Sequence, residues 1–575
     1  MNAYALAIGI SLVVYIAIGN YAGRKVKHLA DYYVAGRNAP TFLIVGTLVA
    51  SVVSTNSFLG DVGFAYSGYA IPLVINTALG LMGYVLGALF FGRYIRRARA
   101  NTVPEFFGNR FVSRRVRVFT ALTVILGAGG YLIAVTQGVA MVITWVTDFT
   151  YVPALIAVWL GYTAFTIYSG SRGVILTDTL MFLLFASVGV AAVFHIIDAA
   201  GGWFTAVERL ANFEPRPGII GTEGYTGPGG NWTSTGDIWT WAIMFGIGWG
   251  VVFAISPWQS SRYLMARNEH VVIRAGCIAI LVMSVLWTTI YMSGPVIALL
   301  NPDVEPHNNA MIWAANNAMP TAIGATLLAG IVAAGLSSAS TFLTLIGFSI
   351  SNDVMADTGA DDARRLKMSR ITILGVGIVV LVLAMLLPPD VFWITWFVAV
   401  MFAAVWGPVA FLSVWSKRIT EAGAFWGLVA GFTGYAVPRV MTLFDVVSLP
   451  ALLDPLFIGF VVGLATVLVV SARTTPTEAE KQYLAELHQP PPELLDAAAA
   501  RRTLILPRFI IAWGIFLSAV MIVIYTRPYQ LATGAVTEGG PYVVLNGELI
   551  IALAFGGLIS AGGVLAYWAM RKLYA

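Results

Sequence analysis

Long apolar segments without charges recur along the whole of this chain, and they constrain its fold more than any other feature. Each is long enough to cross a bilayer, which takes about 20 residues of helix. Only 11% of the 575 residues are charged and the mean hydropathy is +0.82, which excludes a water-soluble globule of ordinary composition. We predict an all-α polytopic membrane protein with about 15 transmembrane helices. The segments lie at 3–20, 40–66, 71–92, 118–147, 152–169, 175–198, 237–257, 275–300, 321–350, 370–388, 391–414, 422–441, 452–471, 508–526 and 547–569.

The distribution of lysine and arginine predicts the orientation of these spans. If the N-terminus lies outside, all but four of the 33 basic residues fall in inner segments, and only Arg209, Arg216, Arg439 and Arg527 lie outside. The positive-inside rule therefore predicts an N-out, C-in topology. The net charge of +5 is explained by inner basic clusters that face anionic lipid, so no nucleic acid partner is needed. We expect a multi-pass protein of a bacterial-type inner membrane.

The sequence shows none of the residue patterns that are typical of an enzyme's active site. The only cysteine, Cys277, lies within a span, and the five histidines are scattered without metal-ligand spacing. No catalytic triad or phosphate-binding loop is present, and the segments between spans are too short for a soluble catalytic domain. We therefore predict a protein that is not an enzyme.

The second apolar segment is interrupted by polar residues at its centre. It reads TFLIVGTLVASVVSTNSFLGDVGFAYSGYA over 41–70. A polar, glycine-punctuated centre in a hydrophobic segment is typical of a discontinuous helix, whose free backbone carbonyls must line a cavity or bind an ion. We predict such a break around Ser51 to Asp61.

The ninth apolar segment carries an unusual stripe of hydroxyl groups. Ala334, Ser337, Ser338 and Thr341 follow an i, i+3, i+4, i+7 pattern, which places them on one face of a helix, and Ser340 flanks that face. Such a stripe serves either close packing between helices or cation binding. Hydroxyls and free carbonyls suit a hard cation such as Na⁺, and the broken second span favours the second interpretation.

An acidic residue lies just inside the sixth apolar segment. Asp178 follows Thr177 there, and a carboxylate within a membrane is costly unless it has a partner. Its candidate partners are Arg172 or a cation held by the hydroxyls of the ninth segment. A third interpretation is a carboxylate stabilised by the N-terminal dipole of its own helix.

Six segments in this order resemble the sodium:solute symporter family, the group that contains the sodium–glucose cotransporters and the proline symporters. The resemblance implies an inverted-repeat core of the leucine-transporter type over spans two to eleven, with the first span peripheral. It also implies uptake driven by Na⁺ through alternating access. The segments are DYYVAGRN (31–38), SVVSTNSFLGDVGFAYSGY (51–69), NTVPEFFGNRF (101–111), YSGSRGVILTDTLMF (168–182), SPWQSSRYL (256–264) and AAGLSSASTFLTLIGFSISND (333–353).

The resemblance also implies where Na⁺ binds. The main site would use the backbone oxygens of Ala50, Val53 and Ala334 and the hydroxyls of Ser337 and Ser338. Some relatives hold a second Na⁺ with an aspartate and further hydroxyls. The matching positions of this chain are Asp178, Ser337, Ser340 and Thr341.

In the family the solute lies beside the breaks of the second and seventh spans. Asp61 departs from the family pattern, and it could pair with a cationic solute, bind a proton or cap the broken helix. Trp258 stands in SPWQ where relatives have an acidic residue. The residues predicted to line the solute site are Ser54, Ser57, Phe58, Asp61, Trp249, Phe253 and Gln259.

We predict five parts along the chain. A peripheral first span with an inner loop (1–39) precedes the transport core (40–414). Two further spans (415–471) follow, then a cytoplasmic linker with helical segments (472–507) and two C-terminal spans (508–575).

The predicted function is a Na⁺-coupled secondary active symporter that imports a small organic solute, such as a carboxylate, an amino acid, a sugar or a vitamin-like molecule. Its partners are then the solute, Na⁺ and the lipid bilayer. One alternative is a proton-coupled symporter that uses Asp61 or Asp178. Another is a transporter-like sensor that reports solute to a separate protein.

Overall fold

The chain folds into a succession of helices, which the computed structural model describes for residues 2–355 and 361–574. No strand occurs within those ranges beyond one isolated pairing of Ala39 with Ala266. The main helices are α1 (Ala3–Gly23), α2 (Thr41–Ala50), α3 (Ala70–Gly87), α4 (Arg114–Val146), α5 (Tyr151–Ala199), α6 (Thr235–Ile255), α7 (Pro257–Met265), α8 (Glu269–Leu300), α9 (Thr321–Phe348), α10 (Asp362–Leu386), α11 (Val391–Trp415), α12 (Glu421–Leu443), α13 (Pro455–Ala472), α14 (Ala497–Met521) and α15 (Gly547–Leu573).

Shorter elements connect and extend these helices. The short α-helices are Leu29–Val34, Asp61–Phe64, Arg93–Ala98, Val103–Arg110, Trp203–Ala211, Ala310–Asn317, Glu478–Leu487 and Arg527–Ala532. Wide π-helical turns occur at Asn56–Gly60, Ala65–Tyr69, Ala88–Gly92, Ser349–Val354 and Ile522–Thr526. The 3₁₀ turns are Ala35–Arg37, His307–Asn309, Ala451–Leu453 and Pro492–Leu495.

The predicted all-α polytopic class is confirmed, and all fifteen predicted segments contain helix. Among the described residues, twelve continuous helices are long and apolar enough to cross a membrane. The fifteen predicted segments reduce to twelve continuous helices for three reasons. The second segment is split between the ten-residue α2 and the continuous helix Asn56–Ala98, which also holds the third segment. The fifth and sixth segments join as α5 through a kink at Gly170 (φ 53°, ψ −148°), and α12 is not among the twelve.

Two helices of the core are broken at the places that matter for the site. α2 ends at Ala50, and helical structure resumes only at the π-helical turn Asn56–Gly60. The second break separates α6 from α7 at Ser256, whose backbone is extended (φ −55°, ψ 150°). Pro257 stands at the first position of α7, where its missing N–H costs nothing, and its ring keeps the preceding residue out of the helical region. The break predicted in the second segment is present.

Close helix contacts bring these breaks toward α5 and α9. A Cβ on Gly46 of α2 would lie 2.6 Å from the Thr179 hydroxyl of α5. A Cβ on Gly335 of α9 would lie 2.2 Å from a methyl group of Val139 and 2.7 Å from one of Thr55. Glycine at both positions lets the backbones approach, as small residues do between membrane helices. Thr47 directly follows Gly46, Ser337 lies two residues after Gly335, and both are fully buried.

The linker predicted over 472–507 contacts the core rather than extending away from it. Its helix Glu478–Leu487 begins with a capping box formed by Thr477 and Glu480. The Arg97 guanidinium donates to the Leu487 carbonyl oxygen (2.7 Å), and the Nε2 atom of His488 lies 2.7 Å from the Val414 carbonyl oxygen. The predicted division into five parts stays a prediction.

Candidate ion and solute site

Hydroxyl groups of α9 meet the free backbone at the end of α2. The Ser337 Oγ donates to the Ala50 carbonyl oxygen at 2.9 Å, and the Ser338 Oγ donates to the same oxygen at 3.3 Å. Both serines are fully buried. The predicted stripe of α9 therefore faces the predicted break.

The other two residues predicted for the main Na⁺ site belong to the same region. Val53 lies within the break, three residues after Ala50, and Ala334 lies one helical turn before Ser337 and Ser338. Both are fully buried. Ala334 also precedes Gly335, whose close approach to Thr55 joins α9 to the segment after the break. The structure thus brings Ala50, Ser337 and Ser338 into contact, and Val53 and Ala334 lie within four residues of them along the chain.

Asp178 lies beside this junction, on α5, and accepts hydrogen bonds from three elements. Its Oδ2 accepts from the Thr47 hydroxyl of α2 (2.6 Å) and from the Arg262 guanidinium of α7 (3.3 Å). Its Oδ1 accepts from the Ser337 hydroxyl of α9 (2.9 Å). Arg172, the partner considered from the sequence, pairs with Asp31 instead. Asp178 therefore links α2, α7 and α9 through one fully buried carboxylate.

A second Na⁺ was predicted at Asp178, Ser337, Ser340 and Thr341. In the structure, the positive charge beside these residues belongs to the guanidinium of Arg262. It contacts both Asp178 and the hydroxyl of Thr341, and only 1% of Arg262 is exposed. The Ser340 hydroxyl donates to the Ser337 carbonyl oxygen of its own helix (2.8 Å), so it does not point into the cluster.

Sequence reasoning missed Arg262 because a charged residue after a span was assigned to the inner loop. One signal was available. α7 begins at Pro257, and Gln259 and Arg262 are three residues apart, on one face of that helix. Both are fully or almost fully buried.

A small cavity lies on the other side of the α2 break. Its volume is about 40 Å³, which suits a few water molecules, and a solute requires the walls to open further. Four of the predicted solute-site residues line it: Ser57, Asp61, Trp249 and Phe253. The remaining lining residues are Val52, Asn56, Leu73, Asn76, Thr77, Gly80, Tyr131, Trp287, Tyr291 and Trp396.

Three residues predicted for the solute site do not border this cavity. Ser54 uses its hydroxyl to accept from the Asn56 backbone N–H (3.1 Å), which supports the turn where the helix resumes. The Phe58 ring packs against Phe185 of α5, with ring centres 6.3 Å apart. Gln259 donates to the Leu48 carbonyl oxygen (3.3 Å), so it ties α7 to α2.

Comparisons with known proteins agree with this architecture. A sequence model described as the sodium:solute symporter family matches residues 32–431. The sodium/pantothenate symporter of Escherichia coli (strain K12) is 23% identical over 449 residues, which are 75% of this chain and 89% of that protein. The sodium/proline symporter of Salmonella typhimurium is 24% identical over 84% of this chain and 96% of that protein. The sodium/glucose cotransporter 1 of Oryctolagus cuniculus is 26% identical over 82% and 78%.

Solved structures share the fold. A Na⁺-coupled sialic acid symporter, in a substrate-bound outward-open state, superposes with a TM-score of 0.70 at 16% sequence identity, covering 83% of this chain and 99% of that one. A nucleobase-cation-symport-1 family transporter in a closed conformation superposes with a TM-score of 0.51 at 14% identity, covering 79% and 97%. The predicted leucine-transporter-type fold is confirmed by the first of these likenesses.

The matched region runs from the short helix Leu29–Val34 into α12 and holds both helix breaks, the α9 stripe and Asp178. The chain is a multi-pass cell membrane transporter that binds a small-molecule solute and uses Na⁺ as its coupling ion. It belongs to the sodium:solute symporter family.

Proposed function

We propose that the chain imports a small organic solute by alternating access and that the coupling Na⁺ binds where the α2 break meets α9. The ligands are the backbone oxygens of Ala50, Val53 and Ala334 and the hydroxyls of Ser337 and Ser338. The observation that carries this proposal is the position of the two serine hydroxyls, 2.9 and 3.3 Å from the Ala50 carbonyl oxygen. Uncharged oxygens in a dry interior suit a monovalent hard cation.

The same break connects the ion site to the solute cavity. Ala50 ends α2 and offers its carbonyl to the ion, while Val52, two residues later, lines the cavity. An ion that holds α2 against α9 therefore also sets the position of one cavity wall. A ligand shifts a conformational equilibrium only by its different affinity for the two states. Na⁺ accordingly favours the arrangement that completes the solute site, and its loss to the cytoplasm favours release.

We propose that Na⁺ leaves toward the inner side by way of a second cavity. It has a volume of about 20 Å³ and lies below the ion junction, where Arg262, Thr344, Phe348 and Thr102 are among its lining residues. Thr102 follows the basic segment that the topology prediction places inside. Arg262 thus lies between the proposed ion site and this cavity.

We further propose that one Na⁺ is transported in each cycle. Asp178 already pairs with Arg262 at 3.3 Å, and Thr341 is contacted by the same guanidinium. A second Na⁺ among these oxygens would place two positive charges against one carboxylate in a fully buried site. The resident arginine takes the place of the second ion.

The main site is tested by replacing its hydroxyls one at a time. Ser337→Ala and Ser338→Ala each remove one ligand, and we expect the Na⁺ concentration for half-maximal uptake to rise about tenfold or more, since one lost ligand costs on the order of 1.5–3 kcal/mol. Uptake is measured in proteoliposomes with an inward Na⁺ gradient. Ser293→Ala is the matched control, because that buried hydroxyl donates only to its own helix, to Ile290. Unchanged Na⁺ dependence in both variants would contradict the assignment.

Two other functions give different results in the same vesicles. Proton coupling through Asp61 or Asp178 predicts uptake that follows the pH gradient and persists when K⁺ replaces Na⁺. A solute sensor predicts Na⁺-dependent binding without net uptake. We propose that neither covalent chemistry nor a nucleic acid partner enters the function, which needs only solute, Na⁺ and the bilayer.

A further inference from the structure

Asp61 has an acidic side chain with only neutral partners. Its Oδ1 accepts from the Asn56 side-chain amide at 3.0 Å, and its Oδ2 accepts from the Tyr291 hydroxyl at 2.9 Å. No Lys, Arg or His of the described residues forms an ion pair with it. A carboxylate inside a membrane protein without a cationic partner is costly, and such a group usually has a functional reason.

Capping of the broken helix does not explain this carboxylate. Asp61 is the first residue of the short helix Asp61–Phe64, yet none of the described backbone N–H groups donates to its side chain. The helix continues instead from the π-helical turn before it, because the Asp61 N–H itself donates to the Asn56 carbonyl oxygen. The carboxylate is directed to the cavity, which it lines.

An arc of five aromatic rings borders the same cavity and ends at this carboxylate. The ring centres follow one another from Trp396 to Trp249 (6.0 Å), Phe253 (5.2 Å), Trp287 (5.6 Å) and Tyr291 (6.1 Å). Tyr291 closes the arc with its hydrogen bond to Asp61. The faces of such rings carry negative electrostatic potential and attract cations, most strongly when water is excluded.

The charges of the remaining wall agree with this attraction. Among the fourteen described residues that line the cavity, Asp61 is acidic and none is basic. A solute that carries only a carboxylate would meet one negative charge and no positive one. Asn76 and Thr77, which also line the cavity, offer neutral polar groups.

We infer that the transported solute carries a positively charged nitrogen, which binds between Asp61 and the aromatic arc. This inference rests on the proposed function, since it names the solute class of the same site. An ammonium group supplies the charge that the wall lacks, and methyl groups on that nitrogen contact the ring faces. A primary amine, a quaternary ammonium and a guanidinium share this chemistry, so the experiment separates them.

The experiment measures uptake by the full chain in proteoliposomes, with Na⁺ outside and K⁺ inside. The probes are choline, putrescine and arginine as cations, acetate and lactate as anions, and glucose as a neutral solute. We expect one or more cations to accumulate and the anions and glucose to remain near background. In an electrical recording, choline or arginine should enter with two positive charges, its own and that of one Na⁺, and putrescine with three.

Asp61→Asn is the central variant, because it keeps the shape and removes the charge. We expect the half-saturating concentration of the transported cation to rise on the order of 100-fold, as when one partner of a buried charge pair is lost. Asp61→Glu keeps the charge and should restore part of the affinity. The control is Asp303→Asn, which neutralises an exposed carboxylate of an outer loop. Folding is checked by the change in intrinsic tryptophan fluorescence that Na⁺ binding causes without solute. We expect this change to persist in all three variants.

Different results would contradict the proposed solute class and the proposed Na⁺-coupled function. Na⁺-dependent uptake of an anion or of glucose, with no cation transported, overturns the solute class and leaves the Na⁺ site standing. Equal affinity for the cation in Asp61→Asn and the unmodified chain also overturns it. Uptake that ignores Na⁺ overturns the proposed function itself.

Discussion

Two carboxylates of the transport core, Asp178 and Asp61, have opposite surroundings: one has a cationic partner and the other has none. Asp178 is fully buried and has a guanidinium partner, Arg262, together with the hydroxyls of Thr47 and Ser337. Asp61 is only partly buried and has two neutral donors and a cavity. Both lie close to the α2 break, so their surroundings differ more than their locations do.

This difference separates a structural charge from a binding charge. The protein supplies its own cation for Asp178, and the resulting pair links α5, α7 and α9. For Asp61 it supplies aromatic faces and leaves the position of the cation free. A buried acid with a protein partner resists exchange, whereas one without such a partner is suited to a ligand that comes and goes.

The largest expected effect comes from removing Arg262. Arg262→Gln leaves the Asp178 charge buried without a partner, which should lower the free energy of unfolding by roughly 3–5 kcal/mol. Unfolding of the purified protein in detergent measures this. The double variant Asp178→Asn/Arg262→Gln should recover most of the loss, because no lone charge remains. A double variant as unstable as the single one would show that the pair is not the cause.

A smaller effect is expected from Tyr291→Phe, which removes one of the two donors to Asp61. The half-saturating concentration of the cationic solute should rise roughly fivefold, which corresponds to about 1 kcal/mol. Tyr263→Phe is the matched control, since that buried hydroxyl has no hydrogen-bond partner among the described residues. If the half-saturating concentration rises equally in both variants, the hydrogen bond from Tyr291 to Asp61 is not the cause.

The smallest effect is expected from Asp61→Asn on stability. Because no protein cation depends on Asp61, its neutralisation should change the free energy of unfolding by no more than about 0.5 kcal/mol, or raise it slightly. The same unfolding assay applies. If Asp61→Asn lowers the free energy of unfolding by nearly as much as Arg262→Gln does, Asp61 is also a structural charge. That result would contradict the distinction between the two carboxylates.

Much of the fold was predictable because the membrane leaves few alternatives. Apolar length identified the spans, and the polar centre of the second segment predicted its break. The period of Ala334, Ser337, Ser338 and Thr341 predicted which face of α9 meets that break. These features are local, so they can be read along the chain.

The parts that sequence reasoning missed depend on distant partners. Arg262 looks like an inner-loop residue until its contact with Asp178, 84 positions earlier, is known. Trp287, Tyr291 and Trp396 could not be singled out in a chain with 17 Trp, 23 Tyr and 32 Phe. Phe58 was predicted to line the solute site, but its ring packs against Phe185. The π-helical turn around it changes the helical register, which the sequence does not reveal.

The pairing of Asp178 with Arg262 has a thermodynamic consequence for accumulation. A positive charge that belongs to the carrier returns with the empty protein, so it performs no work on the solute. Only ions that enter on one side and leave on the other do so. One Na⁺ gains about 2.3 kcal/mol from a potential of 100 mV, which limits the voltage-driven enrichment of a neutral molecule to roughly 50-fold. A cationic solute adds its own charge to this drive, and the limit is then squared.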